Sequence, residues 1–414
     1  MSYQDNQLHM EEVALATIAE ALGTPSYVYS KRYLDEAVEQ LKSAFAGTPT
    51  KIHYSVKANS NLSILRVMAA HGCGFDIVSG GELSRVVAAG CEPGEVIFSG
   101  VGKTVEEIDY ALKLGIHCFN VESEQELNRI SERARNLQKV AAVSMRVNPN
   151  VDAQTHPYIS TGLRENKFGV SAAVAMQLYQ RANEDPHLNP TGIDCHIGSQ
   201  ISQTEPLLEA LTGLLTLVDD LERQSIKLEH IDLGGGMGIQ YKDEDPLDIE
   251  SYGGGVAQIL GGREQTIFLE PGRSLTANGG VLLTRAEYIK PGAEDAPNFA
   301  VVDAAMNDLI RPALYQAWHD VLPLKSAESA CAKTWQIVGP VCESGDFLAK
   351  DRELPIAQGD LLAVTSAGAY GMVQASNYNS RGRPCEVLVD GDTFSVIRRR
   401  ETISDQLRLE REQL

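Results

Sequence analysis

Between about residue 50 and residue 275 the chain repeats one pattern eight times: a short apolar run, a polar turn, then a longer amphipathic run. The apolar runs read as strands over Ile52–Val56, Phe75–Val78, Val96–Phe98, Cys118–Val121, Ala141–Val147, Gly192–Ile197, His230–Leu233 and Thr266–Leu269. Helical periodicity covers Leu62–Ala70, Gly81–Ala89, Val105–Leu114, Glu124–Asn136, Ala172–Ala182 and Leu207–Gln224. Strands that alternate with helices pair in parallel. Eight such units suggest a (β/α)8 TIM-like barrel, with a doubly wound open sheet as the rival. Beyond residue 280 the texture changes to short β-rich runs separated by Gly, Pro, Asn and Asp, the signature of an all-β domain, sandwich or barrel. The expected division is a barrel over residues 30–280 and a β domain from residues 1–29 and 281–414, with Ser26–Ser30 joining the second sheet.

A barrel gathers its chemistry at the carboxyl ends of its strands. The unusual residues of this chain follow the expected strands: Lys57, Ser79-Gly-Gly-Glu82, Asn148-Pro149, Gly198-Ser199, Gly234-Gly-Gly236 and Glu270-Pro-Gly-Arg273. A lysine at a strand end, with Gly-rich turns and an acid converging on it, suits a Schiff-base cofactor. Each residue also has an ordinary reading. Most lysines are solvated, and a triple glycine is often only a flexible turn. Close backbone approach to a phosphate is the alternative for Gly234, Gly235, Gly236 and Gly272. The Lys-Ser/Thr end of a nucleotide loop is missing. Glu270 reads either as half of a salt bridge with Arg146 or Arg273, or as the carboxylate that keeps a pyridine nitrogen protonated. His196 is either a core histidine or a plate for a flat ring, and Ser199 adds a hydroxyl. Cys342, with Glu343 after it, sits between Gly-Pro and Ser-Gly-Asp in a shaped loop. It reads as a buried thiol or as a presented proton donor.

Composition narrows the setting. A formal charge of −20 argues against a nucleic-acid surface. No apolar window of membrane length occurs, and Met1–Glu12 has no signal-peptide pattern. The seven cysteines are scattered and lack a C-x-x-C pair, which fits a reducing cytosol and argues against a zinc site; no metal is expected.

Six segments in order, Tyr54-Ser-Val-Lys-Ala-Asn59, His196-Ile-Gly-Ser-Gln200, Asp232-Leu-Gly-Gly-Gly236, Glu270-Pro-Gly-Arg273, Asn307-Asp-Leu-Ile-Arg-Pro312 and Cys342-Glu-Ser-Gly-Asp346, resemble the diaminopimelate decarboxylase family. The likeness runs from about Tyr27 to Val396. It implies pyridoxal phosphate carried on Lys57, with Gly234, Gly235, Gly236, Ser199, Gly272 and Tyr370 at its phosphate and edge. His196 would stack on the ring and Glu270 would meet its nitrogen. Substrate contacts fall on Arg273, Arg311, Tyr315, Glu343 and Tyr370, with Arg273 placed at the cofactor as well. Cys342 matches the family's proton donor, which enters from the other subunit of a head-to-tail homodimer with shared active sites. Tyr158 and Ser160–Gly169 match a lid region. The implied reaction is decarboxylation of meso-2,6-diaminopimelate to L-lysine in the cytoplasm. Arg273 and Arg311 suit the distal carboxylate of that substrate, and Glu343 its ammonium. An ornithine- or arginine-type decarboxylase and a non-catalytic homologue that binds the cofactor are the alternatives. A diamine-forming enzyme should carry an acid near the position of Arg311, and Asp308 lies close to it.

Overall fold

All eight expected barrel strands form, and they close on one another. In the computed structural model, which describes residues 1–149, 151, 167–293, 296–326 and 332–411, they are β1 (Thr50–Ser55), β2 (Gly74–Ile77), β3 (Val96–Phe98), β4 (Cys118–Val121), β5 (Ala141–Arg146), β6 (Leu188–Asp194), β7 (His230–Asp232) and β8 (Thr266–Leu269). Every neighbouring pair is parallel. Closure comes from β8 against β1, with Ile267 opposite Thr50 and Leu269 opposite Ile52, so the open-sheet rival falls. The helices start where the turns supply a cap. Ser79, Thr104, Ser123, Ser171 and Asp248 each accept a backbone N–H of the first helical turn.

The helix Ile249–Leu260 escaped the sequence reading because Gly253-Gly254-Gly255 argues against a helix. Packing explains two of the three glycines. A Cβ on Gly253 would lie 2.0 Å from the Ala44 carbonyl oxygen, and one on Gly255 2.6 Å from Leu208.

Alternate residues of each strand face the barrel axis. They form two layers of different chemistry. The lower layer holds His53, Cys118, His230 and Phe268, with His117 beside it. His230 stacks on Phe268 at 4.1 Å between ring centres, and His53 lies 4.5 Å from the same ring. Neither nitrogen of His53 has a hydrogen-bond partner among the described residues. The upper layer is polar at every strand: Ser55, Asp76, Ser99, Asn120, Ser144, Asp194, Asp232 and Glu270, all buried. This layer is the floor of the site described below.

The chain divides into two compact units. One comprises Ala37–Gln240 and Glu244–Ser274; the other comprises Met1–Glu36, Tyr241–Asp243 and Leu275–Leu414. The second unit carries a nine-stranded sheet that branches on the long strand Gly280–Lys290. As expected, Ser26–Ser30 joins it, antiparallel to Gly280–Leu283 and parallel to Cys385–Val389. Val28, Val281, Leu283, Val387 and Val389 pack with Leu15 and Ile18 of the helix Leu15–Leu22. Two features were hidden in the sequence. The hairpin Ser2–Gln4/Gln7–Met10 lies in a polar stretch, and it turns on Asp5 and Asn6 with φ of 47° and 63°. Phe347–Leu354 is an edge strand carrying Lys350, Asp351 and Arg352, and charge of that kind protects an edge while masking its strand pattern. Among the described residues no helix is long and apolar enough to cross a membrane.

The histidine layer makes stability depend on pH. Burial, then the neighbouring His117, pushes His230 down to about 3. Burial likewise holds His53 well below the ordinary imidazole range. A depressed histidine is fully stabilising above the unfolded value near 6.5, and the contribution is lost as pH falls from there toward the folded value. At about pH 5, His230 alone should cost ~2 kcal/mol relative to neutral pH. We expect His230→Phe to narrow the gap between denaturation midpoints measured at these two pH values by that amount; an unchanged gap would refute the assignment.

Candidate active site

Lys57 stands in the single helical turn Val56–Ala58 directly after β1. Its Nζ donates to Asp76 Oδ2 of β2 at 2.7 Å, and Ser55 Oγ donates to the same oxygen at 2.8 Å. The lysine side chain is 37% exposed while the carboxylate is fully buried, so the amine reaches outward from a fixed base. Asp76 was missed because it lies inside the apolar run Gly-Phe-Asp-Ile. An acid in the middle of a short buried strand was the signal.

Glu270 follows β8 and is buried against polar neighbours from across the barrel. Its Oε1 accepts from Ser99 Oγ at 3.4 Å and Asn120 Nδ2 at 3.5 Å. Asp194, Asp232 and Glu270 each offer an oxygen within 4.8 Å of the others. Carboxylates so close cannot all be ionised. Burial, then Asp232 and its neighbours, holds Glu270 well above the usual carboxylate range. Burial raises Asp232 to about 6, although the Gly234 N–H pulls the other way. Arg146 supplies positive charge. It donates to Glu122 Oε1 at 2.9 Å and stands 3.9 Å from Asp194 Oδ2. The expected Glu270 salt bridge with Arg146 is thus a Glu122–Arg146–Asp194 chain instead.

His196 lies just beyond β6. Its Nδ1 accepts the Gly235 N–H at 3.2 Å, so that nitrogen carries no proton. Burial, then the charges of Arg146 and Lys57, keeps the ring well below its ordinary range. A neutral imidazole with one edge pinned offers its face. Two of the three N–H groups in the triple glycine have partners within the protein. Gly234 N–H is taken by Asp232 Oδ1 at 2.8 Å, and Gly235 N–H by His196. Their value lies in closeness: a Cβ on Gly235 would sit 2.1 Å from the Glu270 carbonyl oxygen, and one on Gly236 2.3 Å from that of Gly198. Gly234 and Gly236 also have φ of 65° and 91°. Gly272 is equally tight, its Cβ position lying 2.8 Å from Ala58. Arg273 Nη2 donates to Ser199 Oγ at 2.9 Å, which joins a guanidinium and a hydroxyl.

This set fits pyridoxal phosphate. Lys57 presents an amine, His196 a flat neutral face, and Arg273 with Ser199 suits a phosphate. The crowded carboxylates around Glu270 would be relieved by a cationic ring nitrogen.

The other candidates lie in the second unit. Arg311 opens the helix Arg311–Tyr315, which also carries Tyr315, and its guanidinium rests 4.7 Å from the centre of the Tyr241 ring. Tyr370 has φ of 56°, a conformation uncommon for a side chain of that size. Cys342 and Glu343 are both exposed. The Cys342 N–H donates to Asn379 Oδ1 at 3.0 Å, and Tyr378 Oη donates to Glu343 Oε1 at 2.5 Å. Asp346 ties the loop from within by accepting the Val341 N–H at 2.8 Å. Tyr378 and Asn379 were not anticipated, since nothing in Asn377-Tyr-Asn-Ser380 marks a partner some 35 residues away. Asp308 is buried and accepts the Ala305 N–H at 2.9 Å. The lid match at Tyr158 and residues 160–166 lies outside the described residues.

The carboxylate layer also makes a claim about pH. A raised carboxyl contributes stability below its unfolded value near 3.9, and loses it as pH rises through the folded value. Between about pH 4 and pH 6, the Asp232 carboxyl should therefore withdraw stability from cofactor-free protein, against the gain that the histidine layer gives over the same range. Asp232→Asn should shrink that loss in scanning calorimetry; an identical slope would refute the raised Asp232 carboxyl.

Residues 31–277 match the family model described as pyridoxal-dependent decarboxylase, pyridoxal binding domain. Diaminopimelate decarboxylase of Pseudomonas aeruginosa is 55% identical over 404 residues, covering 98% of this chain and 97% of the relative. Among solved structures, diaminopimelate decarboxylase from Helicobacter pylori complexed with L-lysine superposes with a TM-score of 0.93 at 42% identity, over 97% of this chain and 100% of that one. The M. jannaschii enzyme in co-complex with L-lysine gives a TM-score of 0.93 at 36% identity, over 99% and 97% of the two chains. The chain therefore belongs to the diaminopimelate decarboxylase family of pyridoxal-dependent decarboxylases.

Proposed function

We propose that Lys57, His196, Glu270, Ser199 and Arg273, with the close-packed turns at Gly234–Gly236 and Gly272, hold pyridoxal phosphate, and that Arg311, Tyr315, Glu343, Tyr370 and Cys342 serve the substrate. The chain is a pyridoxal-dependent carboxy-lyase that converts meso-2,6-diaminopimelate to L-lysine and carbon dioxide, a reaction of lysine biosynthesis. The observation that carries the residue roles is the Lys57–Asp76 pair beside the Glu270 cluster, on one end of a closed barrel.

When bound, the cofactor supplies a ring that takes up the electron pair left at Cα as carbon dioxide departs. The protein's residues do the rest. Asp76 aims the Lys57 amine that anchors the ring. Glu270 holds a proton at the ring nitrogen, in a cluster that already favours protonated carboxyls. His196 covers one face and keeps water from it. Arg311 and Arg273 offer forks to the distal carboxylate, and Glu343, aimed by Tyr378, faces the distal ammonium. Cys342 Sγ delivers the proton that Cα needs. Asp308 supports this substrate over a simple diamine, because its carboxylate is committed to the Ala305 backbone.

We read the active enzyme as a head-to-tail homodimer in which Cys342 and Glu343 complete the partner's site. Their exposure, on a loop braced from behind, supports that reading. The cytoplasm is the inferred location; the six described cysteines are all free.

Lys57→Ala should abolish the visible absorption of lysine-bound cofactor, and Cys342→Ala should retain it while slowing turnover about 10²–10⁴-fold. Full activity of the second variant would remove Cys342 from its role. The shared site has its own test. Mixing the two inactive variants under subunit exchange gives one intact site in each mixed dimer, so roughly a quarter of wild-type activity should return. No recovery, with exchange verified, would mean that each site is built within one subunit.

A further inference from the structure

Eight residues beyond Arg311 lies His319, an imidazole with no exposed surface. Both ring nitrogens are engaged. Arg311 Nη1 stands 3.0 Å from Nε2, and Nδ1 stands 2.8 Å from the Thr365 carbonyl oxygen. A guanidinium can only donate and a carbonyl oxygen can only accept. Nε2 is therefore the acceptor and Nδ1 carries the hydrogen. The ring is neutral and in one tautomer, because a cationic ring would set N–H against N–H. Its surroundings fix it in place. Tyr241 meets it edge-on at 5.7 Å between centres, and Arg352 Nη2 donates to the His319 backbone oxygen at 2.7 Å.

The same Tyr241 ring lies under the Arg311 guanidinium. An aromatic face thus sets the plane of the fork, and the imidazole acceptor sets its rotation within that plane. Arginine is long and rotamer-rich, and a fork set in advance forfeits less freedom when it grips a planar anion. A buried apolar side chain would fill the space of His319 without supplying an acceptor.

We propose that His319 is a positioning residue for substrate recognition: its neutral imidazole orients Arg311 toward the carboxylate at the unreacting end of the substrate. The proposal rests on the role given to Arg311 above.

The test uses the full-length enzyme loaded with pyridoxal phosphate and two competitive probes. L-Lysine retains the distal carboxylate; 1,5-diaminopentane is the same chain without it. His319→Leu removes the acceptor, and His319→Gln keeps an acceptor oxygen. For His319→Leu we expect the L-lysine inhibition constant and the KM for meso-2,6-diaminopimelate to rise about tenfold, kcat to stay within about threefold, and diaminopentane inhibition to be unchanged, as the loss of one charge-assisted hydrogen bond predicts. His319→Gln should recover most of the L-lysine affinity. Equal weakening of both probes, a fall in kcat alone, or no change overturns the proposal. Should His319→Leu fail to fold, His319→Asn, whose shorter amide does not reach Arg311, takes its place. Arg311→Gln separates the two layers of inference. If it leaves L-lysine inhibition at the wild-type level, the role of Arg311 is wrong. If it weakens L-lysine while His319→Leu does not, only the positioning role falls.

Discussion

The polar layer inside the barrel is the constraint on which the rest of the site depends. Eight buried hydrophilic side chains replace the branched aliphatic residues that ordinarily fill such an interior. Four of them are acids, and burying them is costly unless protons or cations compensate. Lys57 compensates Asp76, and Arg146 compensates Asp194. At the Asp232–Glu270 end, burial and the crowding of like charges raise both carboxyls instead. This uneven balance produces two chemical environments on one floor: an ion pair under the amine, and a cluster of raised carboxyls at Glu270, where we propose the ring nitrogen would lie.

Much of this was legible in the residues. Strand positions, the strand-end location of Lys57 and Glu270, and the recruitment of Ser26–Ser30 into the second sheet all follow from local patterns, which strand-and-turn chemistry writes plainly. The interior layer did not show, because it is assembled from one residue of each strand. Asp76, Asn120, Asp194 and Asp232 are isolated polar letters in runs otherwise read as apolar. Only closure of β8 on β1 brings Glu270 within reach of Ser99 and Asn120. The triple glycine illustrates a different limit. Its pattern suggested free N–H groups for an anion, yet two of the three are already used within the protein.

The second unit follows a similar logic in other materials. Arg311 depends on Tyr241 and His319, and the Cys342–Glu343 pair depends on Tyr378 and Asn379. In each case the group proposed to meet the substrate is recognisable by its motif, while its support comes from residues with no motif of their own. Long polar side chains carry too many rotamers to aim themselves.

The bracing of Cys342 and Glu343 by two consecutive residues of one turn has an evolutionary corollary. Thiol and carboxylate ride on a single cassette, so any shift of the turn displaces both together. A lineage drifting toward a substrate with a different far end could not retune Glu343 through that turn without also misplacing its acid. On the roles proposed for the two residues, fidelity and turnover are mechanically yoked, and innovation would have to begin elsewhere, at Arg311 and its buried imidazole.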